Sequence, residues 1–176
     1  MKKTAFILID LQNDYLEGGL FPLYNTKAVI EQNLKVIDFA KQTQNEVVHI
    51  QHVADPAMGI APFFNEGSEG VKITNDILSA APDSKIIIKH FADSFEQTEL
   101  DNWLKENKIE RIVLSGMMTQ NCVTHTALSK HAEKYEIVVL SDACTTVSEI
   151  LHLIALHAIS PRVKIETLDS FIAQES

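Results

Sequence analysis

A cysteine with the setting of a nucleophile lies in the segment 112–125, which reads IVLSGMMTQNCVTH. An apolar strand pattern passes through a glycine into a short turn, and Cys122 stands where the next helix is predicted to begin. A helix N-terminus carries partial positive charge and unpaired N–H groups, so we expect the pKa of Cys122 to lie below the ordinary thiol value of roughly 8.5. The other interpretation of Cys122 is a small buried apolar residue.

Two further residues could serve a nucleophilic cysteine. Asp10 ends the first predicted strand and Lys89 ends the third, while Cys122 lies beyond the fourth. Taken singly, Asp10 could cap a turn and Lys89 could be a solvated strand end. Because ligands of parallel α/β sheets bind beyond the carboxyl ends of the strands, the three side chains are expected to converge there as a thiol, an acid/base partner and a cation.

Short apolar runs define the strands that must position these residues. The first run, Thr4–Ile9, is apolar on both faces, which is typical of a strand covered by helices on both sides. Six strands are predicted: Thr4–Ile9, Glu46–His52, Ser84–Lys89, Arg111–Ser115, Glu136–Leu140 and Val163–Leu168.

Helical patterns alternate with these strands. Helices are predicted over Thr26–Gln44, Gln97–Asn107, Gln120–Lys134 and Val147–Ile159. The alternation predicts an α/β fold, a doubly wound, mainly parallel, Rossmann-like six-stranded sheet with helices on both faces, in one domain spanning residues 1–176.

Composition narrows the function classes. The 176 residues contain 24 Asp and Glu against 15 Lys and Arg, a formal net charge of −9, and no basic block stands out. Nucleic acid and anionic membranes are therefore not expected as partners. The apolar run after the first residues ends at Asp10, too early for a signal peptide or a membrane span, and two cysteines do not suggest a disulfide framework. We expect a cytoplasmic protein.

Three segments together resemble the isochorismatase-like cysteine hydrolases, the family that includes nicotinamidases and N-carbamoyl amidases. They are AFILIDLQNDYLEGG, KHFADSF, and LSGMMTQNCVTHTAL followed by LSDAC. The resemblance covers nearly the whole chain. It implies an isochorismatase-like hydrolase fold and a catalytic triad of Asp10, Lys89 and Cys122.

The same resemblance implies the remaining parts of an acyl-transfer site. These are a cis peptide between Met117 and Met118 and an oxyanion hole formed by the backbone N–H groups of Met118 and Cys122. Asp10 would accept the thiol proton and return it to the leaving amine, and Lys89 would stabilise negative charge. The implied reaction is hydrolysis of a small amide or carbamoyl substrate through a thioester, with no cofactor.

Nicotinamidases of this family hold a metal ion with an aspartate and histidines after the second strand. This chain offers His49, His52 and Asp55 in VVHIQHVAD, which departs from that motif. Because side chains alternate along a strand, His49 and His52 would point to opposite faces and could not share one ion. We therefore expect no metal site, and histidines that serve the pocket or the fold.

The substrate pocket is predicted from apolar residues near the strand ends. Its wall would come from the segment Met58–Phe64, with Leu20 nearby, and its candidate residues are Leu16, Phe21, Phe63, Phe91, Phe95 and Asn121. Core or oligomer contacts are an equally good explanation of the apolar members. Capping of the following helix is the favoured role of Asn121.

Smaller roles are predicted for other polar residues around the site. Thr119 would fix the turn before Cys122 with its hydroxyl or serve as an ordinary turn residue, and Asp142 and Cys144 of LSDAC are interpreted as structural.

Alternative functions remain open at this point. They are an isochorismatase-type enol ether hydrolase, a metal-dependent nicotinamidase, and a non-catalytic redox-sensing or nucleotide-binding module. Isochorismatases lack the cysteine that this chain has. The sequence DLQNDYLEGG after the first strand lacks the glycine spacing that cradles a pyrophosphate. The family resemblance further implies a homo-oligomer, a dimer or larger, whose neighbouring subunits can complete the pocket.

Overall fold

A six-stranded, all-parallel sheet forms the centre of the molecule. The computed structural model describes residues 2–175. The strands have the spatial order β3-β2-β1-β4-β5-β6 and confirm the predicted α/β fold. Their bounds are β1 Thr4–Ile9, β2 Glu46–His52, β3 Lys85–Lys89, β4 Arg111–Met117, β5 Glu136–Thr145 and β6 Lys164–Glu166.

Helices cover both faces of this sheet. Their bounds are α1 Thr26–Gln42, α2 Asn75–Ala80, α3 Leu100–Glu106, α4 Thr124–Ala127, α5 Glu149–Ile159 and α6 Leu168–Glu175. Helices α1, α2 and α6 pack on Phe6, Leu8 and Val113, whereas α3, α4 and α5 pack on Ile7, Ile9 and Leu114. Alternate residues of the central strands therefore enter two separate apolar layers, as buried parallel strands require. None of the helices within residues 2–175 is both long and apolar enough to cross a membrane.

The helix predicted over Gln120–Lys134 is wrong. A π-helical turn, Thr119–Val123, contains Cys122 and leads into the four-residue α4, and a separate 3-10 turn follows at Ala132–Lys134. After α4 the N–H of Ser129 bonds to the carbonyl of Thr126 and that of Ala132 to Ser129, three residues back in each case. This tighter bonding ends the α-helical path. Cys122 therefore does not begin a long helix.

Two boundaries near the C-terminus differ from the predicted ones. Strand β5 continues five residues beyond Leu140, because after an irregularity Cys144 and Thr145 pair with Gly116 and Met117. The last strand is shorter than predicted, since the chain turns into α6 at Leu168. The N–H of Leu168 donates to the carboxylate of Asp142 at 2.9 Å, which supports this helix start.

The strand order reverses direction between β1 and β4. The chain builds β2 and β3 on one side of β1 and then crosses to place β4 on the other, so the crevice beyond the ends of β1 and β4 is the expected ligand site. Gly116 permits the close approach there: it has φ +115, and a Cβ at this position would lie 2.0 Å from the carbonyl oxygen of Ile9. The ends of these two strands deliver Asp10 and the turn to Cys122.

Candidate active site

The ammonium of Lys89 lies at the centre of a buried polar cluster beyond the strand ends. Its Nζ donates to Asp10 Oδ2 at 2.9 Å and to the carbonyl of Phe91 at 3.1 Å, and it lies 3.2 Å from Cys122 Sγ. It also lies 2.9 Å from His52 Nδ1. Asp10 and Lys89 are fully buried and Cys122 is 2% exposed. The structure therefore brings together Asp10, Lys89 and Cys122.

Asp10 presents one paired and one unpaired oxygen. Its backbone has φ +52 at the end of β1, and its N–H donates to the carbonyl of Ile50 at 3.0 Å. Oδ2 receives the Lys89 ammonium, whereas the buried Oδ1 has no hydrogen-bond partner among the residues described. Ligand atoms of Asp10, Cys122 and His52 all lie within 4.8 Å of one another. Asp10 thus places a carboxylate oxygen within 4.8 Å of the thiol sulfur, and its Oδ1 has lone pairs that no residue within 2–175 uses.

The predicted decrease in the pKa of Cys122 is wrong. Burial raises the pKa of this thiol, the negative charge of Asp10 raises it further, and the Lys89 ammonium opposes both effects without reversing them. A thiol among apolar neighbours loses the hydration that stabilises a thiolate, and the short α4 offers no long helix dipole to replace it. Cys122 is a neutral thiol in the free protein.

His52 lies in the site, whereas the sequence predicted only that it serves either the pocket or the fold. Its partner in the neighbouring strand is Lys89, so the two side chains lie side by side on the same face of the sheet. Burial, followed by the positive charge of Lys89, lowers the pKa of His52 to about 4. His52 is therefore neutral near pH 7, and its Nδ1 accepts a hydrogen bond from the ammonium. The period-two alternation of β2 could have identified His52, because this last residue of the strand points to the face of the sheet that carries Lys89.

The potential metal ligands do not fit a metal ion. His49 lies on the opposite face of β2 from His52, 3.5 Å from the carbonyl of Ala81, and Asp55 accepts the N–H of Ala57. The one cluster of three potential ligands within residues 2–175 is Asp10, His52 and Cys122. Lys89 Nζ lies within 3.2 Å of an atom of each. An ammonium therefore stands where the metal would have to bind, and we assign no step of the chemistry to a metal.

The turn that carries Cys122 is fixed from two sides. The peptide bond between Met117 and Met118 is cis. Thr119 is fully buried, its hydroxyl lies 2.8 Å from His152 Nδ1 of α5, and its carbonyl accepts the hydroxyl of Thr124 at 2.5 Å. Thr119 thus joins the turn to two helices. The oxyanion hole of Met118 and Cys122 N–H groups stays a prediction.

Asn121 does not cap a helix. Neither the π-helical turn nor α4 receives a side-chain cap, and Asn121 uses its carbonyl to bind His125 Nδ1 at 2.8 Å. Capping was expected because a helix start was expected at Cys122, and the chain has none there. The half-buried side-chain amide of Asn121 makes no hydrogen bond within residues 2–175.

Asp142 and Cys144 have structural surroundings. The Asp142 carboxylate accepts the N–H of Leu168 at 2.9 Å and the amide of Gln32 at 2.7 Å, so it joins β5 to α6 and α1. Cys144 is buried, and burial raises its pKa to about 12.

An aromatic cluster adjoins the polar centre. Tyr15 packs against Phe64, Phe63 and Phe21 with ring centroids 4.5, 5.5 and 6.4 Å away, and Phe64 also lies 5.8 Å from the ring of His52. Two predicted wall residues, Phe21 and Phe63, belong to this cluster. Its innermost members, Tyr15 and Phe64, are almost completely buried. Tyr15 was not predicted, and Phe64 only as the end of a loop segment.

The other predicted wall residues occupy different positions. Phe91 is partly exposed beside Lys89, whose ammonium binds its carbonyl. Phe95 is buried in the same apolar layer as Cys122, with its ring stacked on His131 at 6.1 Å, and Leu16 packs against the other layer. Met58 and Leu20 are largely exposed. The pocket assignment itself stays a prediction.

Comparison with known proteins supports the geometry. The family model for the isochorismatase domain matches residues 4–168. YddQ of Bacillus subtilis, an uncharacterized isochorismatase family protein, is 33% identical over 143 residues, which cover 81% of this chain and 78% of YddQ. The crystal structure of an isochorismatase-like hydrolase from Alkaliphilus metalliredigens superimposes with a TM-score of 0.89, at 27% identity over 99% of each chain.

An amidohydrolase is found among more distant relatives. The nicotinamidase of Escherichia coli is 23% identical over 183 residues, which cover 84% of this chain and 85% of that enzyme. The family match over most of the chain, the parallel sheet and the convergence of Asp10, Lys89 and Cys122 agree with one another. The chain belongs to the isochorismatase-like hydrolase family.

Proposed function

We propose that this protein is a cysteine hydrolase that cleaves a small amide or carbamoyl substrate through a thioester on Cys122. One observation carries the proposal: the Lys89 ammonium contacts both the carboxylate of Asp10 and the sulfur of Cys122, while the second Asp10 oxygen has no hydrogen-bond partner within residues 2–175. A base, a nucleophile and a cation that share a buried site are the parts that acyl transfer requires.

The first half of the reaction follows from the neutral thiol. Asp10 Oδ1 accepts the thiol proton as the sulfur attacks the carbonyl carbon, and the carbonyl π electrons move to oxygen. The backbone N–H groups of Met118 and Cys122 bind the resulting oxyanion. Each of two such donors can lower the free-energy barrier of the acylation step by about 3 kcal/mol. Lys89 stabilises the negative charge as it passes from carboxylate to sulfur.

The second half returns the proton and regenerates the thiol. The protonated Asp10 donates to the leaving nitrogen, so that ammonia or an amine departs as the C–N bond breaks and the thioester remains. Asp10 then takes a proton from water, whose oxygen attacks the thioester carbonyl. The C–S bond breaks, the acid leaves, and the proton returns to the sulfur. No net charge is created in the buried site at either step.

The test measures ammonia release from a panel of primary amides and carbamoyl compounds. We expect Cys122→Ala to abolish release, and Cys144→Ala, which removes the other buried thiol, to retain it. Rapid acid quenching followed by mass spectrometry should show an acyl adduct on the peptide that contains Cys122. Release that persists in Cys122→Ala would exclude the proposed nucleophile, and cleavage of enol ethers alone would favour the isochorismatase alternative.

The assembly of the protein is a second part of this proposal. The outward face of α5 exposes Ile150, Leu153 and Ile154 by 70%, 58% and 59%. A helix that is apolar on its solvent side favours contact with another protein surface, and we propose a second copy of this chain as the partner. Light scattering should give a multiple of 19.7 kDa for the wild type and about 19.7 kDa for Leu153→Glu. A monomeric wild type would refute the assembly.

A further inference from the structure

A hydrogen bond from helix α5 reaches the turn that carries Cys122. His152 Nδ1 lies 2.8 Å from the hydroxyl of Thr119, which is fully buried. Within the described part of the chain, the other side chain that bonds to this turn from a distant element is Lys89, at the sulfur of Cys122 itself. Because Lys89 contacts the nucleophile and His152 contacts the residue that begins the turn, His152 is placed to set the shape of the turn.

The direction of this hydrogen bond follows from the charge state of His152. Burial lowers the pKa of His152 below the ordinary histidine value, although a hydrogen bond to the backbone carbonyl of Ser141 and the negative charge of Glu149 oppose this effect. Near pH 7 the ring is therefore neutral, with one N–H and one bare nitrogen. Since the Ser141 carbonyl can only accept, it takes the ring N–H, and Nδ1 accepts the hydroxyl of Thr119.

The start of α5 fixes the position of His152. The Ser148 side chain caps this helix by accepting a backbone N–H of its first turn at 3.4 Å, and the Ser148 carbonyl accepts the N–H of His152 at 3.1 Å. Further along α5, Leu156 and Ile159 are buried in the apolar layer that also contains Cys122. His152 is thus held on a rigid element, which makes its bond an effective restraint on the turn.

Thr119 transmits this restraint to the backbone around Cys122. Its carbonyl accepts both the hydroxyl and the N–H of Thr124, five residues further along the chain. A backbone bond of that span closes the π-helical turn with Cys122 inside it. Met118, whose N–H is the other predicted oxyanion donor, directly precedes Thr119. A shift of Thr119 would therefore move both donors relative to the sulfur.

We propose that His152 is a positioning residue: through the Thr119 hydroxyl it holds the N–H groups of Met118 and Cys122 in the geometry that binds the oxyanion. This inference rests on the proposed function, because it concerns the same reaction. His152 acts through Thr119 and takes no part in proton transfer. Its effect is expected on kcat rather than on KM, because the two donors bind the developing oxyanion more strongly than the carbonyl of the bound substrate.

The test replaces His152 by two residues that differ in the hydrogen-bond acceptor. Asparagine can place its carbonyl oxygen near the position of Nδ1, whereas leucine fills a similar space without an acceptor. With the amide that the wild type cleaves best, we expect His152→Leu to lower kcat about 10- to 100-fold and to leave KM nearly unchanged. His152→Asn should restore most of kcat. His157→Leu, the same change at an exposed histidine of α5, should retain both constants.

A second pair of variants tests the other end of the hydrogen bond. Thr119→Val removes the hydroxyl with little change of shape, and Thr119→Ser keeps it. We expect Thr119→Val to lower kcat about as much as His152→Leu does, and Thr119→Ser to lower it less. The double variant His152→Leu/Thr119→Val should lose no more than either single variant, because both changes remove the same bond. Urea unfolding and light scattering identify any variant that is unfolded or differently assembled.

The outcomes separate this inference from the proposed reaction. If amides are cleaved and folded His152→Leu keeps its kcat, or if only KM changes, or if asparagine restores nothing, the role of His152 is overturned and the amidohydrolase stands. Losses that multiply in the double variant would overturn it too, since the two residues would then act independently. If His152→Leu does not fold, equal kcat values for Thr119→Val and Thr119→Ser overturn the inference. If the wild type cleaves no amide or carbamoyl compound, the proposed function fails and the inference fails with it.

Discussion

Removing the charge of Lys89 is expected to destabilise the protein more than removing the charge of Asp10. The two groups are fully buried, and Nζ lies 2.9 Å from Oδ2. At an effective dielectric constant of about 20, their attraction is about 6 kcal/mol, most of which offsets the cost of burying both charges. Lys89→Met would leave a buried carboxylate without its cation. We expect the free energy of unfolding to decrease by about 3–5 kcal/mol.

Asp10→Asn should lower the free energy of unfolding by less, because the Cys122 thiol can ionise and replace the lost negative charge. When the carboxylate is removed, the pKa of the Cys122 thiol decreases, since Asp10 is the charge that raises it, and a thiolate can then pair with Lys89 at 3.2 Å. In the double variant Asp10→Asn/Lys89→Met neither charge remains. We expect its loss to be smaller than the sum of the single losses by about 3 kcal/mol.

The measurement is urea unfolding of the four proteins at pH 7, with circular dichroism and tryptophan fluorescence as probes and the slopes compared for two-state behaviour. All three variants should lack hydrolase activity, so the prediction is decided by the order of their free energies of unfolding. Additive losses would show that the pair is not coupled. A loss for Asp10→Asn equal to that for Lys89→Met would refute the compensating thiolate.

Two further predictions concern titration in the site. In a Cys144→Ala background, Asp10→Asn should shift the pH midpoint of iodoacetamide alkylation of Cys122 to lower pH. At a fixed pH below the midpoint, each unit by which the pKa decreases should raise the alkylation rate about tenfold. A midpoint that is unchanged or higher would contradict the role of Asp10. The pKa of His52 is about 4 when folded and 6.5 when unfolded, so its contribution to stability is present above pH 6.5 and lost as the pH decreases toward 4. Between pH 6.5 and 4, the free energy of unfolding of His52→Gln should decrease less than that of the wild type. Equal decreases would show that a group other than His52 causes this pH dependence.

The parallel sheet could be predicted from sequence because its central strands, β1 and β4, are buried on both faces. Thr4–Ile9 is fully buried and has the predicted bounds, and the partly buried Glu46–His52 also has its predicted bounds. The convergence of Asp10 and Lys89 followed from the same pattern, since the carboxyl ends of parallel strands share one edge. Local apolar runs contain enough information to place a residue at such an edge.

The segment after β4 could not be predicted in the same way. Its apolar and polar residues have helical spacing from Gln120 onward. A π-helical turn forms instead, because the hydroxyl of Thr119 bonds to His152 and its carbonyl accepts the hydroxyl of Thr124. His152 belongs to α5, 33 residues away in sequence. Helical periodicity cannot report a contact of that range, so the interpretation of Cys122 as a helix start failed.

The raised pKa of Cys122 determines the charge state of the free site. A preformed thiolate beside Asp10 would place two anions around one buried ammonium, a net negative charge that the apolar surroundings oppose. The neutral thiol keeps the free site balanced, with one carboxylate and one ammonium. In the proposed reaction the sulfur would ionise only as its proton moves to Asp10, when a substrate carbonyl is present to receive the electrons. Burial of Cys122 thus opposes reaction of the free thiol with solutes, but it still permits attack on a bound substrate carbonyl when the thiol proton moves to Asp10.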